Sequence, residues 1–173
     1  MPGPIEVIIN ANSGGVVEGN TDLLIAEAFA ARNVDVKIHF AKGGDEIDKL
    51  AKRAAESDAE IIVAGGGDGT ISAVASEAVR SKKTLGVLPL GTLNNFSKDL
   101  QSPQDLSEAV RVIAEGHTRV IDVGEVNENI FINNSSIGLY PRIVKKREQN
   151  QQKTLSHVGE YILARACSFS AHH

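Results

Sequence analysis

Residues 64–70 read AGGGDGT, with the apolar run Ile61-Ile62-Val63 ahead of them and a helical pattern behind. Three successive glycines make poor strand and poor helix, because glycine loses the most backbone freedom on ordering. Bare backbone in a strand-to-helix turn suits close approach to anionic oxygens, which main-chain N–H groups bind. Gly65, Gly66 and Gly67 are therefore expected to let the backbone approach a phosphate chain, and Gly69 to adopt an unusual φ beside Thr70. Thr70 is placed to cap the helix and to offer its hydroxyl to a ligand. Asp68 is the odd member, since a carboxylate among phosphates repels them unless a cation lies between. Either it helps hold Mg²⁺, directly or through water, or it grips a ribose or another hydroxyl.

Two further turns share this composition: residues 10–15, NANSGG, and residues 89–96, PLGTLNNF. Each follows a predicted strand, and in an open parallel sheet ligands bind beyond the carboxyl ends of the strands. All three turns are thus expected on one edge. The motif is not G-x-x-x-x-G-K-[ST], for no lysine follows the glycines. It is not G-x-G-x-x-G either, since position 70 is Thr.

The elements that must position these turns alternate. Residues 5–9 form an apolar, β-branched run that predicts a buried strand. Thr21 is a candidate cap for a helix whose face holds Leu24, Ile25, Ala28 and Phe29, with Asn33 as its stop. Residues 34–40 alternate as a strand, and Gly43-Gly44 breaks it. Asp45 opens a helix with Ile47, Leu50, Ala51 and Ala54 on one face. Residues 60–64 and 84–88 predict strands around a helix that buries Ile71, Val74, Ala75, Ala78 and Val79. Ser102-Pro103 predicts the start of a helix that buries Leu106, Ala109, Val110 and Ile113 and ends at Gly116. Residues 118–126 and 129–135 predict two strands about a turn at Asn127. The alternation argues for an α/β fold with a Rossmann-like parallel sheet and helices on both faces. Residues 145–153 form a charged polar stretch, and residues 155–169 predict a further helix.

Composition bounds the rest. The chain has 173 residues, 42% hydrophobic and 23% charged, enough for one sizeable core. Its net charge of −4 gives no basic face for a nucleic acid. A single cysteine, Cys167, excludes an intramolecular disulfide framework and a cysteine zinc site. With no apolar leader and no apolar run of spanning length, the chain is expected to be soluble and cytoplasmic. His39 reads as a partly buried structural residue, and His117 as a partner of the helix end before it. No G-x-S-x-G elbow points to a hydrolase. Asp122 alternates with apolar neighbours as an outward-facing strand residue.

Gly66-Gly67-Asp68-Gly69-Thr70 matches the GGDGT signature shared by diacylglycerol kinases, sphingosine kinases and NAD kinases. Residues 86–97, GVLPLGTLNNFS, resemble the lipid-kinase pattern G-[VI]-[LI]-P-x-G-T-x-N-D-F-[AG], which NAD kinases lack. Residues 10–14, NANSG, resemble the N-P-x-S-G turn, and residues 133–139, NNSSIGL, fall where such proteins cross to a second domain. The sequence therefore resembles the diacylglycerol kinase catalytic-domain family. That resemblance implies a nucleotide-binding domain of the diacylglycerol kinase and NAD kinase-like fold over residues 1–126. Residues 127–173 would then hold the crossover and the start of a truncated or reduced second domain. It implies ATP and Mg²⁺ as cofactors and transfer of the γ-phosphoryl group to a diacylglycerol-like lipid hydroxyl at the inner face of a membrane. Carried over residue by residue, Asn10, Ser13 and Gly14 lie near the nucleotide. Gly66, Gly67, Asp68, Gly69 and Thr70 hold the phosphates, with Asp68 organising Mg²⁺. Gly91, Thr92 and Asn94 complete the cleft.

The departures from the pattern are specific. Asn95 stands where Asp is common, Ser72-Ala73 replace a frequent Asn-Glu, and no threonine occurs near residues 40–43. In the family the acidic general base comes from the second domain, so it is expected outside this chain. Glu125, Glu128, Glu148 and Glu160 read as surface residues. The alternatives are a kinase for a soluble acceptor such as NAD, and a non-catalytic nucleotide-binding regulatory module.

Overall fold

The computed structural model describes residues 3–16, 19–127 and 129–132, all within one compact unit. The alternation predicted from sequence is present. In order the elements are β1 (Ile5–Asn10), α1 (Thr21–Ala30), β2 (Val36–Ala41), α2 (Gly44–Glu56), β3 (Ile61–Gly66), α3 (Asp68–Ser81) and β4 (Thr84–Pro89). There follow α4 (Asn95–Asp99), α5 (Leu106–Ala114), β5 (Gly124–Val126) and β6 (Asn129–Phe131).

β1 to β4 form one parallel sheet in the order β2-β1-β3-β4. Register is set by Ile5 opposite both Val36 and Ile61, and by Ile61 opposite Thr84. The inner strands β1 and β3 are buried on both faces, which is why they read as unbroken apolar runs. β2 is an edge strand, where the alternation holds over Val36-Lys37-Ile38 and lapses at the exposed Phe40.

Each face carries its own core. On one, α1 and α5 bring Ile25, Phe29, Ala109, Val110 and Ile113 onto Val7, Ile9, Val63 and Leu88. On the other, α2 and α3 bring Ile47, Ala51, Ala54, Ile71, Val74 and Ala78 onto Ile8, Ile62 and Ala64. Fully burying one such Ile or Phe is worth about 1.5–3 kcal/mol, and these side chains fix how the strand ends are presented. Glu6 is a buried exception on β1. Its carboxylate lies 3.2 Å from His39 Nε2 on β2, at an angle short of a hydrogen bond, so His39 is the half-buried structural residue expected.

The helix stops follow the sequence signals. Asn33 takes a left-handed φ of 56°, and Val34 N–H returns to the Phe29 carbonyl. Gly116, at φ 73°, lets His117 N–H reach the Val112 carbonyl. The His117 ring sits 3.0 Å from Glu115.

Several expectations need correction. Thr21 is the first residue of α1 and is buried, and the cap is Asn20. α5 begins three residues later than Pro103 suggests. Asp105 caps it by accepting from Glu108 N–H at 3.0 Å, while Ser102 N–H is turned back to the Ser97 carbonyl. Leu24 and Val79, placed on buried faces, are exposed, because each lies one residue beyond the stripe that its helix buries. Residues 118–123 are not strand. They pair with no strand among the described residues, and Val120 is 97% exposed. Only β5 and β6 form the expected hairpin, turning at Asn127 with φ 49°. Asp122 is exposed as expected, though off any strand. Residues 133–139, 145–153 and 155–169, Glu128, Glu148, Glu160 and Cys167 lie outside the described residues.

Candidate functional site

In a sheet of order β2-β1-β3-β4 the chain leaves β1 in one direction and resumes at β3 in the other. The carboxyl ends of β1 and β3 therefore flank the crevice in which ligands of such sheets bind. The three turns singled out from sequence all meet there, held by contacts between residues far apart in the chain.

The first turn folds on itself. Asn12 N–H bonds the Asn10 side-chain oxygen at 3.0 Å, and Ser13 N–H the Asn10 carbonyl at 3.0 Å. It is tied to the end of β2 by Asn12 Nδ2 to the Lys42 carbonyl, 2.6 Å. Asn10 Nδ2 crosses to Thr70 Oγ1 on α3 at 3.2 Å, and Gly15 N–H donates to the Leu90 carbonyl of the third turn at 2.9 Å. Gly14 faces Thr92, with room for a Cβ at 3.6 Å from its hydroxyl.

The glycines of the second turn divide into two kinds. A Cβ on Gly66 would stand 2.6 Å from Thr70 Oγ1, and one on Gly65 would press Leu90 and Ile9. A Cβ on Gly91, in the third turn, would overlap the Gly67 Cα and stand 2.8 Å from its nitrogen. Gly91 is required by packing between the two turns and Gly66 by Thr70 of its own turn, Gly65 lies tightly against Leu90 and Ile9, and a Cβ on Gly67 would make only ordinary contact with Gly91 at 3.6 Å. Gly69 is different. It lies exposed in the first turn of α3, and a Cβ there would meet nothing within 4 Å. Its φ is not positive, so the unusual backbone expected of it is absent. Thr70 is not the cap of α3, which is Gly67. It sits within the first turn, 5% exposed, and accepts the bond from Asn10.

The third turn is pinned by Asn94, in the left-handed region at φ 53°. Its Oδ1 accepts from Gly91 N–H at 2.9 Å and its Nδ2 donates to the Pro89 carbonyl at 3.1 Å. Asparagine is among the few residues that take this conformation readily. Residues 95 and 96, expected in a loop, open the short helix α4. Asp68 joins the second turn to it: Oδ1 accepts from Phe96 N–H at 2.9 Å, and Oδ2 from Asn95 N–H and Nδ2, both at 3.2 Å. Thr92 and Leu93 are exposed at the rim, and buried Ser97 bonds the Asn94 carbonyl and Gln104.

All eleven residues proposed from sequence thus fall within one ring of turns. The spacing missed Gly15, Asn12, Asn95 and the Phe96 N–H, which act through neighbours distant in sequence. Only the Asn-x-Asn pattern of an Asx turn at residues 10–12 was open to local reading. Among the described residues no three His, Cys, Asp or Glu side chains gather into a metal cage. Mg²⁺ commonly takes one or two carboxylates plus ligand phosphates, so the single carboxylate of Asp68 at a glycine-rich helix start is chemically compatible with such an ion. No helix among the described residues is long and apolar enough to cross a membrane.

The model of the diacylglycerol kinase catalytic domain matches residues 4–126. A diacylglycerol kinase of Staphylococcus carnosus is 36% identical over 122 residues, which are 69% of this chain and 39% of that protein. A Klebsiella pneumoniae protein named "Probable lipid kinase YegS-like" is 35% identical over 133 residues, 75% of this chain and 44% of that one. The crystal structure of a diacylglycerol kinase from Bacillus anthracis superposes with a TM-score of 0.64 at 27% identity, covering 75% of this chain and 50% of its own. The chain spans less than half the length of these two curated relatives.

Proposed function

This chain belongs to the diacylglycerol kinase catalytic-domain family, and from that premise we propose that it is the ATP-binding part of a lipid kinase. The observation that carries the proposal is the exposed Gly69 in the first turn of α3, at the mouth of the crevice where three turns meet. Packing explains Gly66 and Gly91, but nothing within the fold calls for a glycine at position 69, where an added Cβ would meet nothing. Ala there would be the better helix former. A phosphate chain lying against the α3 N-terminus, met by the N–H groups of its first turn and the positive end of its dipole, does call for one.

In this account the N–H groups of Asp68, Gly69 and Thr70 receive the phosphates. Asn10, Ser13 and Gly14 border the nucleotide on the β1 side, and Gly91, Thr92 and Asn94 on the β4 side. Gly66, Gly67, Gly91 and Asn94 act by fixing where the backbone lies. Asp68 is the residue that would help hold the cation, and Mg²⁺, when bound, would neutralise phosphate oxygens. The γ-phosphoryl group passes from ADP as leaving group to the oxygen of a lipid hydroxyl, diacylglycerol-like, whose proton goes to a base outside the described residues. Such transfer depends mostly on positioning and charge neutralisation. The acceptor is met peripherally, at a membrane surface.

The test is a calorimetric titration of the chain with Mg·ADP. Saturable binding that needs Mg²⁺ supports the proposal, and no heat at millimolar nucleotide contradicts it. Phosphoryl transfer to diacylglycerol, by the protein with whatever further domain it carries, separates a lipid kinase from a kinase for a soluble acceptor. Binding without transfer to any alcohol favours a regulatory module.

A further inference from the structure

The Asp68 carboxylate is held on both oxygens by the start of α4, and one of its partners is an amide side chain. We infer that Asn95 is a positioning residue that makes the brace between the second and third turns independent of any divalent cation, so that the site carries no resident Mg²⁺ and receives its cation with the nucleotide. The brace stands without the nucleotide, and the arrival of the cation with it rests on the function proposed above.

The chemistry follows from which atoms donate. A carboxylate only accepts, so the Asn95 atom 3.2 Å from Asp68 Oδ2 is the amide nitrogen, and the orientation of that amide is fixed by its partner. Asn95 thus satisfies the same oxygen twice, from its backbone and from its side chain. With Asp at position 95, a carboxylate oxygen would stand where the Nδ2 is. Two negative charges would then face each other across 3.2 Å at the edge of a site meant for polyphosphate. Such a pair is repulsive unless a cation lies between. Asn95 therefore removes both the repulsion and the requirement for a bridging ion, and leaves one negative charge fewer for an incoming phosphate chain to meet.

Thermal unfolding of the chain, Asn95→Asp and Asn95→Ala, each in EDTA and in millimolar MgCl₂ near pH 7.5, tests this. The wild type is expected to melt at the same temperature in both. Asn95→Asp is expected to melt several degrees lower in EDTA and to recover with Mg²⁺. Asn95→Ala, which loses one bond without adding a charge, should be lowered less and should not respond to Mg²⁺. A merely structural role would move the midpoints without creating the Mg²⁺ response. The inference is overturned if Mg²⁺ alone stabilises the wild type, if Asn95→Asp melts like the wild type in EDTA, or if Mg²⁺ fails to restore it. Adding Mg·ADP to the wild type separates the two claims. No rise there overturns the nucleotide-borne cation and the proposed function, while the Asn95→Asp response still reports the brace.

Discussion

The turn after β3 and the turn after β4 look alike in sequence, both glycine-rich and both polar, yet their glycines do different work. In the turn after β4, Gly91 is forced by the backbone of Gly67 against it, and Asn94 holds the loop from inside. In the turn after β3, a Cβ on Gly66 would collide with Thr70 of the same turn, one on Gly67 would make only ordinary contact with Gly91, and one on Gly69 would face open space. A glycine-rich turn is thus not a phosphate cradle residue by residue. Gly65 and Gly91 let the two loops close on each other, Gly66 makes room for Thr70, and Gly69 has no neighbour that requires it.

Substitutions should separate the two kinds. Gly91→Ala is expected to have the largest effect, because its new methyl meets backbone, which cannot step aside as a side-chain end can. A loss of about 3 kcal/mol, read by urea unfolding, is the expected outcome. A loss below about 1 kcal/mol would mean that the turns part easily. Asn94→Ala should follow at about 2–3 kcal/mol, since it strains the left-handed backbone and leaves the Gly91 N–H and Pro89 carbonyl without their partner. Asn94→Gly sharpens that figure: it keeps the backbone conformation, loses only the bonds, and should cost less than Asn94→Ala. Thr70→Val keeps the shape and removes the acceptor for Asn10, at about 1 kcal/mol.

Most of the fold was legible because its signals are local. Runs of β-branched residues, helical spacing of apolar residues, and the stops at Asn33 and Gly116 each lie within a few positions of one another. The errors have one source, a pattern that local spacing leaves open. Residues 118–123 alternate like a strand, but a strand exists only where a partner accepts its hydrogen bonds. Ser102-Pro103 has the composition of a helix start, but the Asp105 carboxylate reaches an N–H in the first turn and fixes the cap there. The candidate site was legible as a set of residues and not as a set of roles. The Asn10–Thr70 and Asp68–Phe96 bonds join residues 60 and 28 positions apart, and the closure of Gly91 on Gly67 spans two elements. No spacing rule reaches that far, so glycines needed for packing and a glycine with open space around it read the same.

The most direct measurement is a pair of melting curves, wild type and Gly69→Ala, each with and without Mg·ADP. Without ligand, Gly69→Ala should be the more stable by about 0.5–1 kcal/mol, because Ala is favoured in a helix and its methyl meets nothing. With nucleotide at about 100 times its dissociation constant the wild type should gain about 2.7 kcal/mol. The variant should gain about 1.4 kcal/mol less, a tenfold loss in affinity. A variant more stable alone and less stabilised by nucleotide is what a phosphate against the α3 N-terminus predicts. An equal gain in both proteins would place the phosphates elsewhere and contradict the account.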